Sequence, residues 1–318
     1  MFRLAVDQNY KAATRDLARY YYSLETEEDN RKALDYYLQY IEYNPKDTDT
    51  LLHIGLIYES GLGVPLNIDL ARRYYERAAE QDETGMAYNF LGGTYMNDEE
   101  TESNERKAVH YFQKAIELGN TNAMFRISYY LHNGKGGLQV DIPREIELLT
   151  EASKRGNHQA TYRLGLLFED NESGMAQNLE LSVKYFQLAA DNGILAAINK
   201  MGELYLFGEV IPANLTKAIS CFTAASEQGY GKASYWLGRL HTDGIGQLEK
   251  DTQKAMNYYR KAIEQGYEEA REWMEQLQKN LVDETITDIE IPQDARSEEH
   301  TSELQSPPDR GLRVVLEK

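Results

Sequence analysis

The chain has 318 residues, with 34 Lys and Arg against 52 Asp and Glu, for a formal net charge of −18. That balance speaks against nucleic acid, whose phosphates need clustered cations, and against an anionic membrane surface. A hydrophobic share of 42% excludes wholesale disorder, and one cysteine excludes an internal disulfide framework or a multi-cysteine zinc site. No stretch approaches the roughly 18 apolar residues that span a bilayer. The opening run from Met1 to Asp7 is too brief for a secretory apolar region. A cytoplasmic protein is expected; periplasmic or secreted would follow if a leader were lost by truncation. Tyr supplies 24 residues against 8 Phe and 2 Trp, which suggests many half-buried rings with a wet hydroxyl.

Residues 1–46 read as an N-terminal capping hairpin that ends in Ala33-Leu34-Asp35-Tyr36-Tyr37, with Pro45 after it, and this unit resembles a tetratricopeptide repeat. From 47 to 267 the chain repeats. One ladder of small residues runs Gly55, Gly92, Ser128, Gly165, Gly202, Gly238, spaced 36 or 37 residues apart. A second runs Asp82, Gly119, Gly156, Gly193, Gly229, Gly266. A third lies four residues before the second (Ala78, Ala115, Ala152, Ala189, Ala225, Ala262), and a fourth five before the first (Thr50, Ala87, Ala123, Ala160, Ala197, Ala233). Four ladders in phase over six units mark a repeat architecture.

Each unit reads as a helical hairpin. Apolar residues recur at helical spacing through Ala197 to Tyr205. A Gly in mid-helix costs about 1 kcal/mol, and a cost repeated at one register implies close approach of a partner helix. A breaker-rich turn follows, as in Gly61-Leu62-Gly63-Val64-Pro65 or Gly244-Ile245-Gly246. An acidic residue or Asn then opens a second amphipathic helix: Asp69 to Glu80, Glu105 to Leu118, Asp251 to Gln265. It closes at the second-ladder Gly. Aromatic pairs line its buried face: Tyr74-Tyr75, Tyr111-Phe112, Tyr185-Phe186, Tyr258-Tyr259. Ser128 departs from the first ladder, and 96–105 and 170–178 lack the Gly-x-Gly turn. Residues 268–280 read as one closing helix with Trp273 and Leu277 facing inward, because an open terminal repeat leaves apolar surface wet. Residues 281–295 read as an acidic disordered segment.

The pattern Ala-x-x-x-Leu-Gly-x-x-Tyr, then Gly-x-Gly-Val, then Lys/Arg-Ala-x-x-Tyr-Tyr-x-x-Ala-Ala-x-x-Gly resembles the Sel-one-like repeat, a relative of the tetratricopeptide repeat. Leu52 to Glu80 matches most fully, and Gly231 to Gly266 is close behind. The resemblance implies an all-α fold, a right-handed α-solenoid of stacked antiparallel helix pairs. It also implies a non-catalytic scaffold or adaptor that binds a peptide or partner protein in the concave groove, with no cofactor and no metal. The alternative is a regulatory or accessory repeat segment of a larger, truncated enzyme. Cysteine-rich secreted relatives, for which hydrolase activity has been proposed, carry a disulfide per repeat; a single Cys removes that resemblance.

The residues themselves offer little chemistry. His53, His110, His132, His158 and His241 scatter over five units without the i, i+4 pairing of a helical metal site. Cys221 stands in the register of Tyr74, Tyr111 and Tyr258, where a buried thiol replaces a core ring. Gly134-Lys135-Gly136-Gly137 lacks the preceding strand and the Lys-Ser/Thr ending of a phosphate loop, and sits where the repeat turns. The acidic run Asp98-Glu99-Glu100-Thr101-Glu102 reads as a solvated loop.

By analogy with tetratricopeptide geometry, the position three before the small residue and the one just after it should face the groove. The selected residues are Asn89, Phe125, Tyr129, Tyr162, Asn199, Glu203, Tyr235 and Arg239. Amides there reach a peptide backbone and rings cover side chains. The acidity predicts a basic partner and salt-sensitive association, with the chain itself a monomer.

The last segment stands apart. Arg296-Ser297-Glu298-Glu299-His300-Thr301-Ser302-Glu303-Leu304-Gln305-Ser306 is similar to a reading-frame translation of a common sequencing adapter. Residues 296–318 are therefore expected to be an artefactual disordered tail. Its charges nearly balance, so the acidity belongs to the repeats. Deleting Arg296 to Lys318 should leave helical content, and Tm to within about 2 °C, unchanged by circular dichroism, because an unpacked tail contributes little. A clear drop in Tm would overturn that reading.

Overall fold

The computed structural model describes residues 11–170, 177–245 and 248–289, which hold fifteen α-helices and no strand. The chain divides into two compact units, residues 1–160 and 161–318. The first contains the pairs α1 (Lys11–Tyr22) and α2 (Glu27–Tyr43), α3 (Thr48–Ser60) and α4 (Ile68–Ala79), α5 (Met86–Met96) and α6 (Glu102–Glu117), and α7 (Thr121–Asn133) and α8 (Ile142–Lys154). The second holds nearly all of α9 (His158–Glu169), paired with α10 (Leu179–Asp191). It continues with α11 (Leu195–Phe207) and α12 (Leu215–Glu227), α13 (Gly231–Asp243) and α14 (Thr252–Glu264), and finally α15 (Ala270–Ile289).

Local chemistry fixes the helix ends. Every second helix opens on a side-chain cap: Thr26, Asn67, Thr101, Asp141, Asn178, Asn214 and Asp251 each accept from the backbone N–H three residues on. Such caps satisfy one of the orphan donors and contribute about 1 kcal/mol each. The cap at Thr101 starts α6 at Glu102 rather than the expected Glu105. Beyond the second helices, Gly119, Gly156, Gly193, Gly229 and Gly266 all take left-handed φ, between +78° and +93°. Asp82 stands in that ladder instead and turns the chain with its carboxylate, which accepts from Thr84 N, Thr84 Oγ1 and Ala87 N.

The mid-helix ladder has the steric cause its repetition implies. A Cβ on Gly92, Gly165, Gly202 or Gly238 would stand 2.5–2.6 Å from a ring carbon of Phe112, Phe186, Phe222 or Tyr259 respectively. These rings are wholly buried. Ser128 is the revealing exception. The residue in the ring's register is Leu149 there, a smaller side chain, and the serine hydroxyl donates back to Phe125 O at 2.7 Å.

Successive repeats also clasp through side-chain amides. Asn120 caps α7 through Oδ1 while its Nδ2 donates to Thr84 O at 3.3 Å, and Asn157 Nδ2 reaches Thr121 O at 3.1 Å. In the second unit Gln265 Nε2 donates to Ser226 O at 2.8 Å.

One expected boundary moves. The closing helix runs through Ile289, past residue 280, so 281–289 are helical rather than disordered. The first ten residues of the N-terminal hairpin lie outside the described residues. So do 171–176 of one loop, Gly246 of one turn, the remainder of the acidic segment (290–295) and the tail 296–318.

Candidate functional site

On each first helix, residues three before and one after the ladder position lie one turn apart, so their side chains can meet. In α11, Asn199 Nδ2 donates to Glu203 Oε1 at 2.9 Å. In α13, Arg239 Nη1 donates to the Tyr235 hydroxyl at 3.0 Å.

Glu203 is the centre of a polar network in the second unit. Besides Asn199 it accepts from Trp236 Nε1 at 3.0 Å and pairs with Lys232 Nζ at 2.7 Å. Lys200 Nζ lies 3.9 Å from Glu203 and 2.9 Å from Glu169 on α9. The network thus joins the first helices of three successive repeats. Burial works to lower the Lys232 ammonium, but Glu203 outweighs it and the group ends above its ordinary pKa. Tyr162 packs its ring against Phe186 at 5.6 Å, and burial first, then the nearby Tyr230 and the Glu203 charge, push its hydroxyl up to about 12.

Tyr235 and Arg239 have a different setting. Both are buried, and the Arg239 guanidinium lies 3.8 Å over the ring of Trp273 from α15. The closing helix covers them.

In the first unit, Phe125 is half-buried and Tyr129 is exposed on α7. Lys135 donates to the Tyr129 hydroxyl at 3.1 Å and pairs with Glu105 at 3.4 Å. The Gly-Lys-Gly-Gly run is a turn, with Gly134 ending α7 at φ +63°. Beside it an acidic cleft of about 110 Å³ is lined by Tyr95, Asp98, Glu99, Glu100, Glu105 and Tyr129 among others. Arg72 donates to Asp98 at 2.7 Å, and this bond holds the Asp98 carboxyl below its usual range.

Asn89 on α5 is only 5% exposed, yet its side chain makes no hydrogen bond among the described residues. One turn on, Gly93 leaves room for Arg126 of α7, whose Nη1 would stand 2.9 Å from a Cβ at that glycine. Arg126 is half-buried and takes part in no hydrogen bond or ion pair among the described residues.

Arg126, Lys200 and Trp236 were not selected from the sequence. All three lie two residues before the ladder position, and Arg126, Arg163 and Lys200 recur there at 37-residue steps. A basic ladder in so acidic a chain was the available signal.

Among the described residues no group of three or more His, Cys, Asp and Glu is placed to hold a metal ion. His53 Nδ1 lies 2.8 Å from Asp49 O, His132 bonds the buried Glu145 at 3.0 Å, and His241 stacks on Tyr258. Burial pushes the Cys221 thiol up, away from thiolate reactivity. Among the described residues no helix is long and apolar enough to cross a membrane.

The model of the Sel1 repeat matches seven segments, residues 11–39, 50–83, 85–120, 121–157, 158–194, 195–230 and 231–267. The first segment falls on α1 and α2, so the hairpin expected to be a tetratricopeptide-like cap is itself one of seven repeats, not an addition to six. The Sel1-repeat-containing protein YjcO of Escherichia coli strain K12 is 33% identical over 78 residues, 24% of this chain and 34% of that protein. Protein sel-1 homolog 2 of Rattus norvegicus is 40% identical over 70 residues, 22% of this chain and 10% of that protein. The chain therefore spans about a third or less of these relatives. Among solved structures, a Sel1 repeat protein from Oxalobacter formigenes superposes with a TM-score of 0.68 at 22% identity, over 78% of this chain and 98% of that one. A protective antigen of uropathogenic Escherichia coli with an SLR fold gives 0.63 at 23% identity, over 87% and 58%. At these identities the likeness is one of fold, the α-solenoid. Sel1 repeat proteins are generally protein-interaction scaffolds and generally non-catalytic. The repeat matches cover well over half of the chain and coincide with its helix pairs, and the chain belongs to the Sel1 repeat family.

Proposed function

We propose that this chain is a non-catalytic scaffold that, as a monomer, binds an extended segment of a partner protein along its first-helix face. The observation that carries this is the unpartnered pair Asn89 and Arg126 on adjacent first helices. A buried polar group left without a hydrogen bond costs about 1–3 kcal/mol, and such groups call for an explanation. The unsatisfied Asn89 Oδ1 suits a backbone N–H of an extended peptide, and the Arg126 guanidinium suits its carbonyls. Phe125 and Tyr129, one turn apart on α7, supply ring surface beside them. The acidic, tyrosine-lined cleft next to Tyr129 suits a lysine or arginine side chain of the same segment. In the second unit, Tyr162, Asn199 and Glu203 present the equivalent registers, with Glu203 already committed to its own lysines. Tyr235 and Arg239 are buried against α15 and form no part of the proposed contact surface.

A displayed-peptide selection on the chain at low salt should enrich extended, net-basic sequences. The enriched peptide should bind an Asn89→Ala/Arg126→Ala variant about tenfold more weakly, a loss near 1.4 kcal/mol. The variant's Tm should stay level or rise, because unsatisfied polar groups have been removed. Failure to enrich any sequence, or equal binding by the variant, would sink the proposal.

A further inference from the structure

The hairpins share a second aromatic rule. The residue three after the ladder position stacks on the first ring of the second helix's aromatic pair. Tyr58 on Tyr74 (6.0 Å, 8°), Tyr95 on Tyr111 (5.7 Å, 11°), Phe168 on Tyr185 (5.7 Å, 5°) and His241 on Tyr258 (5.6 Å, 7°) all follow it. Tyr21 on Tyr36 (5.7 Å, 5°) is its counterpart in the first hairpin. The α7–α8 hairpin replaces both members together, with Leu131 and Leu148.

The α11–α12 hairpin breaks the rule on one side only. Tyr205 keeps its ring, but Cys221 stands where the partner ring should be. No aromatic ring stacks on Tyr205 among the described residues, and Lys217 Nζ lies 5.1 Å from its centroid.

The structure opens where the ring is missing. A groove of about 630 Å³ runs between α10 and α12, bordered by Leu188, Met201, Tyr205 and the Ile211-Pro212-Ala213 turn. A smaller recess of about 220 Å³ reaches Tyr205, Ser220 and Cys221. Leu188 is 47% exposed on its edge. The charged side chains lining the groove are Lys184 and Lys217 against Asp191, a locally cationic rim on a chain of net charge −18.

We propose that this groove receives an aromatic side chain of a partner protein, flanked there by carboxylates, which stacks on Tyr205 in the place left by Cys221. Five stacks elsewhere in the chain show the geometry that such a ring would adopt. The two lysines match neighbouring Asp or Glu residues of the incoming segment. This surface lies on the second-helix side and does not depend on the first-helix face.

The test uses the full chain and blocked pentapeptides of sequence Glu-Asp-X-Asp-Glu, with X as Phe, Tyr, Trp, Leu or Ala, titrated by NMR. The aromatic peptides should shift the Tyr205, Lys217 and Cys221 amides and bind about three- to tenfold more tightly than the Ala peptide, the range stacking supplies. Cys221→Tyr should refill the slot and abolish those shifts with Tm level or higher. Lys217→Glu leaves the slot open and should weaken binding about fivefold. Two results would overturn the proposal: aromatic peptides no better than Ala, or undiminished binding by both variants. A preference for the same peptides carrying Lys in place of Asp and Glu would overturn its acidic partner. None of these outcomes bears on the Asn89 and Arg126 variant, so the two readings fail separately.

Discussion

Gly165→Ala should destabilise the second unit by about 1–2 kcal/mol, although the same change at an exposed helix position stabilises by about 1 kcal/mol. The sign reverses because the new Cβ would stand 2.6 Å from two carbons of the Phe186 ring. Ordinary carbon contacts lie near 3.5–4.0 Å, so the surroundings must give by about 1 Å. Phe186 is wholly buried, and Ser182 Oγ donates to Gly165 O at 2.8 Å, tying α10 to α9 at that level. Neither side can yield cheaply, and overpacking of this kind costs typically 1–3 kcal/mol. Its upper part exceeds the propensity gain. The chain also indicates the remedy, since Ser128 tolerates a Cβ in the hairpin where Leu149 replaces the ring. Phe186→Leu alone should destabilise by leaving a void. The Gly165→Ala/Phe186→Leu pair should be more stable than the sum of the single losses by about 0.5–2 kcal/mol, the scale on which contacting residues couple. Urea unfolding of the four proteins measures the cycle. Simple additivity would show that the glycine ladder exists for some other reason.

That ladder was legible in the sequence because one steric demand recurs at a fixed period. A ring on the second helix forces a glycine on the first, repeat after repeat. The caps were legible only in part: Asp251 was read as the start of its helix, but Asn67 and Thr101 cap the helices whose starts were read at Asp69 and Glu105. The exposure of the registers proposed for binding was less so. The position three before the ladder residue was carried over from tetratricopeptide geometry, and it holds Asn89, Asn199 and Tyr235, all nearly enclosed at 5%, 2% and 8% exposure. The next residue along the helix is rotated by about 100°. There Arg126 and Lys200 are half-buried on long stems, and Lys200 reaches Glu169 at 2.9 Å. A residue's place in a repeat says which helix face it occupies, but the reach of its side chain decides whether its polar atoms meet a partner. The length of α15 was obscured for a related reason. Past Leu277 the stretch to Ile289 is mostly polar and read as a tail, although Leu281, Val282, Ile286 and Ile289 keep helical spacing.

Trp273→Ala should cost the second unit about 2–4 kcal/mol, measured as a shift in the urea midpoint at unchanged slope. Truncating a large buried aromatic costs about 3–5 kcal/mol, and Trp273 is half-buried, so the apolar part is discounted. The Arg239 guanidinium adds to it, lying 3.8 Å over the Trp273 ring with its side chain only 4% exposed. A desolvated cation–π contact is worth about 2 kcal/mol. Removing the ring leaves that charge with the Tyr235 hydroxyl at 3.0 Å and Asp243 at 3.6 Å among its partners, under less cover. Trp273→Leu separates the two contributions. It keeps part of the apolar cover over Tyr235 while removing the ring's negative face, so it should lose about half as much. The same two variants probe why the array needs an end. A solenoid's last repeat has no neighbour to bury its face, and here α15 lays Trp273, Met274 and Leu277 against that face. Amide exchange in α13 and α14 should therefore quicken in Trp273→Ala while α9 and α10 keep their protection, because each repeat answers to its neighbours. If Trp273→Ala unfolds within about 0.5 kcal/mol of the parent chain, a surface-like effect, α15 is an appendage and the apolar end of the array is covered by something else.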